Sequence, residues 1–286
     1  MSPPGVARRS CLRVAADRSE ANEDDVAVEE ALEIRIHGDP VATTMRTPGE
    51  DRLLALGFLF SEGILRSRDD VSSVAHCGHP GEEGYGNVIE VTPSPGARIE
   101  LEKVSASRRG TLTTSACGVC GRRSVEDLVA ACGTVGFDAL RVPAARIAQA
   151  PESLRKAQTN FARTGGVHAA AALSLEGELL AAFEDVGRHN AVDKVVGALL
   201  LGNRVGTPFS SPPVEDARRA VLLMVSGRAS FEIIQKAAVA RIPLVASVSA
   251  ASSLAVDLAR RTGVTLATFV RDGHFNLFSH PERIDP

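Results

Sequence analysis

The segment Thr114-Ser115-Ala116-Cys117-Gly118-Val119-Cys120-Gly121-Arg122-Arg123 places two thiols three positions apart among small residues. Small neighbours leave sulfur uncovered and the backbone pliant, which suits a thiol that must reach another molecule. Arg108, Arg109, Arg122 and Arg123 crowd the segment, and Ser124-Val125-Glu126-Asp127 reads as a helix start. Ser124 is its cap and Asp127 returns the bond. Positive charge and a helix N-terminus both favour the thiolate, which is the nucleophile. The stretch, residues 114–123, therefore reads as a reactive cysteine loop. Two other chemistries compete. A Cys-x-x-Cys pair is half of a tetrahedral zinc site, and His76, Cys77 and His79 are the upstream candidates for the remaining ligands. A thioredoxin-like pair follows a strand and opens a helix in a βαβ unit, whereas here Ser-Ala and Gly-Arg-Arg surround the cysteines.

Further along, Glu184-Asp185-Val186-Gly187-Arg188-His189-Asn190 gathers polar and small residues at the end of an apolar strand. Such positions hold ligand groups in α/β folds. Val221 to Val225 is a continuous apolar run followed at once by Ser226-Gly227-Arg228 and then a helical stretch from Phe231. Strand, short glycine turn and helix aim backbone N–H groups at an anion, and a guanidinium at Arg228 suits phosphate oxygens. The pattern repeats with the strand Leu244 to Val248 and the turn Ser249 to Ser253. It repeats again with Val264 to Val270 and Arg271-Asp272-Gly273-His274. Turns after parallel strands share one edge, so a phosphate-bearing ligand is expected there.

The elements that position these groups follow from periodicity. Residues 1–30 carry mixed charge with little apolar pattern and are expected to be disordered. Residues 31–110 read as a small α+β domain. Its strands are Ala31 to His37, Val41 to Arg46, Val71 to Val74, Asn87 to Thr92 and Ile99 to Leu101, and its helix is Asp51 to Ser61. Residues 111–286 read as an α/β domain. It begins with the cysteine loop and a helix Val125 to Ala131, then a helical stretch Pro143 to Ala157 that Pro151 splits. The hairpin Ala169 to Phe183 and a helix Ala191 to Leu201 follow. Alternating strands and helices from there imply a parallel sheet.

The 286 residues are 44% hydrophobic, ample for a packed core. A net charge of −3, with aromatics at 4%, no Trp and one Tyr, argues against a nucleic-acid partner. Leu53 to Leu65 is apolar yet too short to span a bilayer, so no membrane association is expected. Five cysteines in a chain of this size suggest reduced thiols and a cytoplasmic protein.

Ser115 to Gly121, Thr164-Gly165-Gly166-Val167-His168-Ala169-Ala170, Glu184 to Lys194, Val225 to Ser230 and Ala246 to Ala255 together resemble the formate dehydrogenase accessory sulfurtransferase (FdhD) family. The likeness runs from about residue 30 to the C-terminus. It implies a cytidine-deaminase-like three-layer αβα domain beside the smaller α+β domain. It also implies a sulfur carrier that takes persulfide sulfur from a cysteine desulfurase. That sulfur goes to the metal of the molybdenum bis-guanine-dinucleotide cofactor before the cofactor enters the formate dehydrogenase catalytic subunit. By position Cys117 matches the persulfide-bearing residue and Cys120 the second cysteine. Phe269, Val270, Arg271, Asp272, Gly273 and His274 match the cofactor-binding segment, with Ser226, Gly227 and Arg228 expected near the phosphates. The family tends to be dimeric, which implies a homodimer. Deaminase chemistry is not expected, because His168-Ala169-Ala170 lacks the His-x-Glu glutamate and Ala116 stands where the zinc motif has proline. A cofactor-binding chaperone without sulfur transfer is the alternative function.

Overall fold

The structure, a computed structural model, describes residues 5–79, 81–82, 85–97, 99, 126, 129, 133–136, 140–205 and 219–286. Its first element corrects an expectation. Much of the stretch assigned to disorder forms an antiparallel hairpin of β1 (Val6–Val14) and β2 (Ser19–Ala27). Little of it is buried, but its charges match across the ladder: Arg8 faces Asp25, Arg9 faces Asp24 and Arg13 faces Glu20. Opposite charges directly across a ladder stabilise it. Mean composition, which set the expectation, is blind to that pairing. Arg163 holds the root of the hairpin through Asp25 at 2.7 Å.

Leu32, Ile34 and Ile36 alternate with Glu33 and Arg35, and that period of two makes β3 (Glu30–Ile36) a strand with one buried face. His37 and Gly38, both at positive φ, turn it into β4 (Asp39–Arg46), one residue earlier than Gly38-Asp39-Pro40 suggests. The helix α1 (Asp51–Ser61) has the bounds its apolar run predicts. With β5 (Val71–His76) and β6 (Val88–Pro93) the strands form a sheet in the order β4-β3-β6-β5, and α1 packs on β6. The strand expected at Ile99 to Leu101 and the helix expected at Val125 to Ala131 lie largely outside the described residues.

The second half begins with the short strand β7 (Val142–Pro143) and α2 (Ala144–Lys156). Pro151 does not split α2: Ile147, Ala150 and Leu154 form one buried stripe through it, and that packing outweighs the lost hydrogen bond. Then come α3 (Thr159–Thr164), β8 (His168–Leu173), β9 (Leu179–Asp185) and α4 (Arg188–Leu201). They are followed by β10 (Leu222–Val225), α5 (Phe231–Val239), β11 (Leu244–Ser247) and α6 (Ser253–Thr262). The chain ends with β12 (Thr265–Arg271), β13 (His274–Ser279) and β14 (Ile284–Asp285), which pairs with β7.

Six of these strands form one sheet in the order β13-β12-β11-β10-β8-β9. The expected parallel sheet is confined to β10, β11 and β12, so the sheet is mixed. β8 and β9 enter as a hairpin with β8 antiparallel to β10. At the other edge Asp272 and Gly273, with φ of 51° and 79°, fold β13 back onto β12. Asp-Gly with both residues at positive φ is the tight hairpin turn, and it makes a strand of what reads as a tail.

One continuous core joins the two sheets, from Leu32 to Val270. Its tightest seam is the crossing of α1 and α4. A Cβ on Gly57 would collide with the Asp193 carbonyl, and one on Gly197 with the Leu53 carbonyl. Behind that seam Lys236 of α5 reaches Asp193 of α4 at 2.7 and 2.9 Å, and Ser61 of α1 donates to the same carboxylate at 3.1 Å. No helix among the described residues is long and apolar enough to cross a membrane.

Candidate functional site

Because β10, β11 and β12 are parallel neighbours, their C-terminal ends share one edge. The turns there are laced together. Ser226 N–H donates to Ala169 O, and Ser226 Oγ accepts from Ala169 N–H, both at 2.9 Å, clamping the start of β8 to the end of β10. Ser247 Oγ donates to Gly227 O at 2.7 Å, Ala229 bridges Ala251, and Phe269 N–H donates to Ser249 O at 3.1 Å. Ser226, Gly227 and Arg228 thus stand on the same edge as Phe269 to His274, as the three polar turns suggest. Arg228 is exposed. Phe269 sits at φ 52° and is 37% exposed, with the Arg271 guanidinium 5.9 Å from its ring centroid. A left-handed aromatic residue is uncommon and needs its surroundings to hold it. Val270 departs from the set: it is fully buried in the core, so its side chain supports the edge from below.

His168, which sequence reasoning left without a role, and Arg188, expected there as part of the Glu184 to Asn190 ligand cluster, belong to this edge. A Cβ at Gly227 would lie 3.2 Å from His168 Nδ1 and 3.7 Å from Arg188 Cδ, so glycine there lets both side chains close in. His189 Nε2 lies 2.6 Å from Glu232 Oε2, 3.1 Å from Ser230 Oγ and 3.3 Å from Arg188 Nε. A carboxylate, a hydroxyl and a guanidinium thus converge on one ring nitrogen and hold the imidazole in place. Burial holds the His168 imidazole below its ordinary value, with Arg188 and His189 adding to the effect. Neutral His168 opens onto a cleft of about 460 Å³, whose other walls are α2, α3, Gly165 to Val167, Ser226 and Val248. The available signal was Gly165-Gly166 just ahead of a histidine that begins an all-apolar strand.

The cluster at Glu184 to Asn190 is mostly structural, against the ligand role its position suggests. Asp185 and Lys194, both buried, meet at 2.7 Å. Asp185 also accepts from Gly187 N at 2.8 Å, Asn190 Nδ2 at 3.1 Å and Thr47 N at 3.3 Å. Burial pushes its carboxyl up and Lys194 pulls it back. Glu184 accepts from Asn160 N and Phe161 N, both at 2.8 Å, and so caps α3. These carboxylates fasten β9 to its neighbours, leaving Arg188 and His189 to face the edge.

Cys117 and Cys120 lie outside the described residues, as does the rest of the loop 114–123. At the upstream candidate metal ligands, His76 Nε2 lies 3.5 Å from Asp51 Oδ2 and the ring is 6.1 Å from Tyr85. Among the described residues no three His, Cys, Asp or Glu side chains gather to hold a metal.

A family model described as FdhD/NarQ matches residues 27–285. The chain is 52% identical to a protein of Anaeromyxobacter dehalogenans named sulfur carrier protein FdhD, over 99% of this chain and 95% of that one. It is 45% identical to a protein of the same name from Mycolicibacterium paratuberculosis, over 98% of each. The fold is similar to the crystal structure of a protein assigned as a formate dehydrogenase accessory protein from Desulfotalea psychrophila. That match has a TM-score of 0.73 at 23% identity and covers 99% of this chain and 100% of the other.

Proposed function

This chain belongs to the FdhD/NarQ family, and from that premise we propose that it is a sulfur carrier serving formate dehydrogenase. The observation that carries the reading is identity of 52% and 45%, over nearly the whole chain, with proteins named as sulfur carriers. In this proposal Cys117 thiolate attacks the outer sulfur of a persulfide on a cysteine desulfurase. The sulfur–sulfur bond of the donor breaks, its cysteine leaves as thiolate and takes up a proton, and Cys117 keeps the extra sulfur. Cys120 either relays that sulfur or displaces it as sulfide by forming a disulfide with Cys117. The acceptor is the metal of the bis-guanine-dinucleotide cofactor, which the protein then hands to the formate dehydrogenase catalytic subunit.

The sheet edge supports the cofactor part of the reading. Arg228 is exposed there, and Arg271 is held against the Phe269 ring. Guanidinium groups suit phosphate oxygens bidentately, and an exposed aromatic ring at the same edge suits a purine face. A homodimer, a cytoplasmic location and a three-layer arrangement akin to cytidine deaminases belong to the same proposal.

The test is to incubate the full chain with cysteine desulfurase and cysteine and to weigh it intact. One sulfur atom is expected on Cys117 in the wild type and none in Cys117→Ala. Wild-type protein that gains no sulfur would refute the carrier and leave the cofactor-binding chaperone.

A further inference from the structure

The hairpin of β1 and β2 is fastened at its root and bare along its length. At the root Val6 is buried, a Cβ on Gly5 would lie 2.7 Å from Thr47 Cγ2, and Arg163 of α3 holds Asp25. Beyond Ala7 every residue of β1 is exposed, with Leu12 at 62% and Val14 at 70%. The nine residues of each strand reach about 30 Å, and the two strands form a sheet of their own. Among the described residues no strand but β2 lies beside β1. A two-stranded ribbon with water on both faces is marginal by itself. The family model begins at residue 27, where the arm ends, so the arm lies outside the part that the model describes.

Its ladder leaves one edge open. Val28 N–H donates to Gly5 O at 3.0 Å and Ala15 N–H to Arg18 O at 2.8 Å, closing the two ends. Facing residues of an antiparallel pair alternate between bonded and unbonded. Ala7, Arg9, Cys11 and Arg13 therefore bond to β2, while the backbone groups of Arg8, Ser10, Leu12 and Val14 point away from it. Among the described residues only Arg8 O on that edge has a partner, the Arg9 guanidinium at 3.0 Å. An open edge of this kind pairs with an extended chain.

The side chains say which chain. β1 carries Arg8, Arg9 and Arg13 and no acidic residue, whereas β2 carries Glu20, Glu23, Asp24 and Asp25 and no basic one. A second copy fits poorly. Two β1 strands side by side bring three arginines from each copy together with no carboxylate between them. β1 laid on the β2 edge of another copy gives a head-to-tail contact and not a closed pair. We propose that β1 is a docking edge for an extended acidic segment of another protein, which joins the hairpin as a third strand. β2 is the template for that segment: it sets acidic residues opposite Arg8, Arg9 and Arg13, and Ala21 opposite Leu12. An antiparallel segment of the same kind reads apolar, acidic, apolar, two free positions, acidic, acidic, and its apolar residues cover Val14 and Leu12. Docking at this edge is independent of the sulfur and cofactor chemistry proposed above.

Magnetic resonance titration of the full chain tests it with the peptide Val-Glu-Val-Thr-Thr-Asp-Asp and with a control carrying lysine at the acidic positions. The acidic peptide is expected to move the amide signals of Arg8, Ser10, Leu12 and Val14 and to bind about tenfold tighter than the control. Two variants spare the ladder of the hairpin itself. Ser10→Pro removes an N–H that β2 does not use, and Arg13→Glu with Glu20→Arg keeps a facing pair while placing an acid on the open edge. The first should weaken the acidic peptide about tenfold, and the second should weaken it about fivefold and tighten the lysine control. Amide signals of β2 check that the ribbon persists, and the charge exchange decides if Ser10→Pro melts it. β1 signals that the acidic peptide leaves unmoved, equal binding of the two peptides, or affinities untouched by the variants overturn the proposal. Shifts of the same four amides that grow with protein concentration in the absence of peptide overturn the choice of partner and make a second copy the occupant.

Discussion

Asp193 and Lys236 form a buried pair behind the sheet edge, and removing either charge has a cost whose pH-dependent part has a ceiling. Lys236 Nζ lies 2.7 and 2.9 Å from the two Asp193 oxygens, and the side chains are 6% and 2% exposed. Asp193→Asn strands a lysine that is almost wholly shut away from water. The pH-dependent part of the cost is at most the free energy of removing the lysine's proton, since the fold can then keep a neutral amine. From the ordinary lysine value of 10.5, at about 1.36 kcal/mol per pH unit, that ceiling is ~4.8 kcal/mol at pH 7 and ~2.0 kcal/mol at pH 9. Lys236→Met strands the carboxylate instead. From the ordinary aspartate value of 3.8, its ceiling is ~4.4 kcal/mol at pH 7 and ~1.6 kcal/mol at pH 5. The two variants therefore recover in opposite directions, Asp193→Asn as pH rises and Lys236→Met as pH falls. The double variant Asp193→Leu with Lys236→Met loses less than either single one at pH 7. Urea unfolding of the wild type and these three variants at the three pH values measures the losses. Single-variant losses under ~1 kcal/mol at pH 7, or losses that do not change with pH, would refute the claim that a desolvated charge sets the cost.

Gly57→Ala should destabilise the protein by about 1–3 kcal/mol in urea unfolding, because its methyl meets the backbone of α4 and not a side chain that can turn away. The His168 imidazole has its folded value below the ordinary 6.5, so below that pH the unfolded chain binds more protons than the fold. Stability should fall as pH drops from 6.5 toward the folded value, and His168→Gln should flatten that limb of the profile. Raising salt screens the Arg8–Asp25 and Arg9–Asp24 facing pairs, so amides of β1 and β2 should exchange faster with deuterium at high salt while those of β10 and β11 do not.

Local periodicity was enough to define most elements of this protein. Alternation around Ile34 and the apolar run from Leu53 to Phe60 are properties of neighbouring residues, and α1 has the bounds read from its sequence. The continuous run Val221 to Val225 likewise announced a strand buried on both faces, and the turn residues after it marked the edge where we propose that the cofactor binds. The family resemblance, too, is carried by short runs of residues and needs no coordinates.

Three-dimensional contacts decided the rest. Whether Glu184 and Asp185 serve a ligand or the fold depends on three places far apart along the chain: Asn160 and Phe161 engage Glu184, while Thr47 and Lys194 engage Asp185. The hairpin β1–β2 exists because basic residues on one strand meet acidic ones on the other in register, a relation invisible to composition. His168 gains its place only because β8 runs antiparallel to β10, which sets it beside Gly227 and opens it onto a cleft with Arg155 and Gln158. Sequence determined which residues carry chemistry, since that is intrinsic to each side chain. Only the packing of distant segments decided which of those groups remain available to a ligand, because partners are assigned in space.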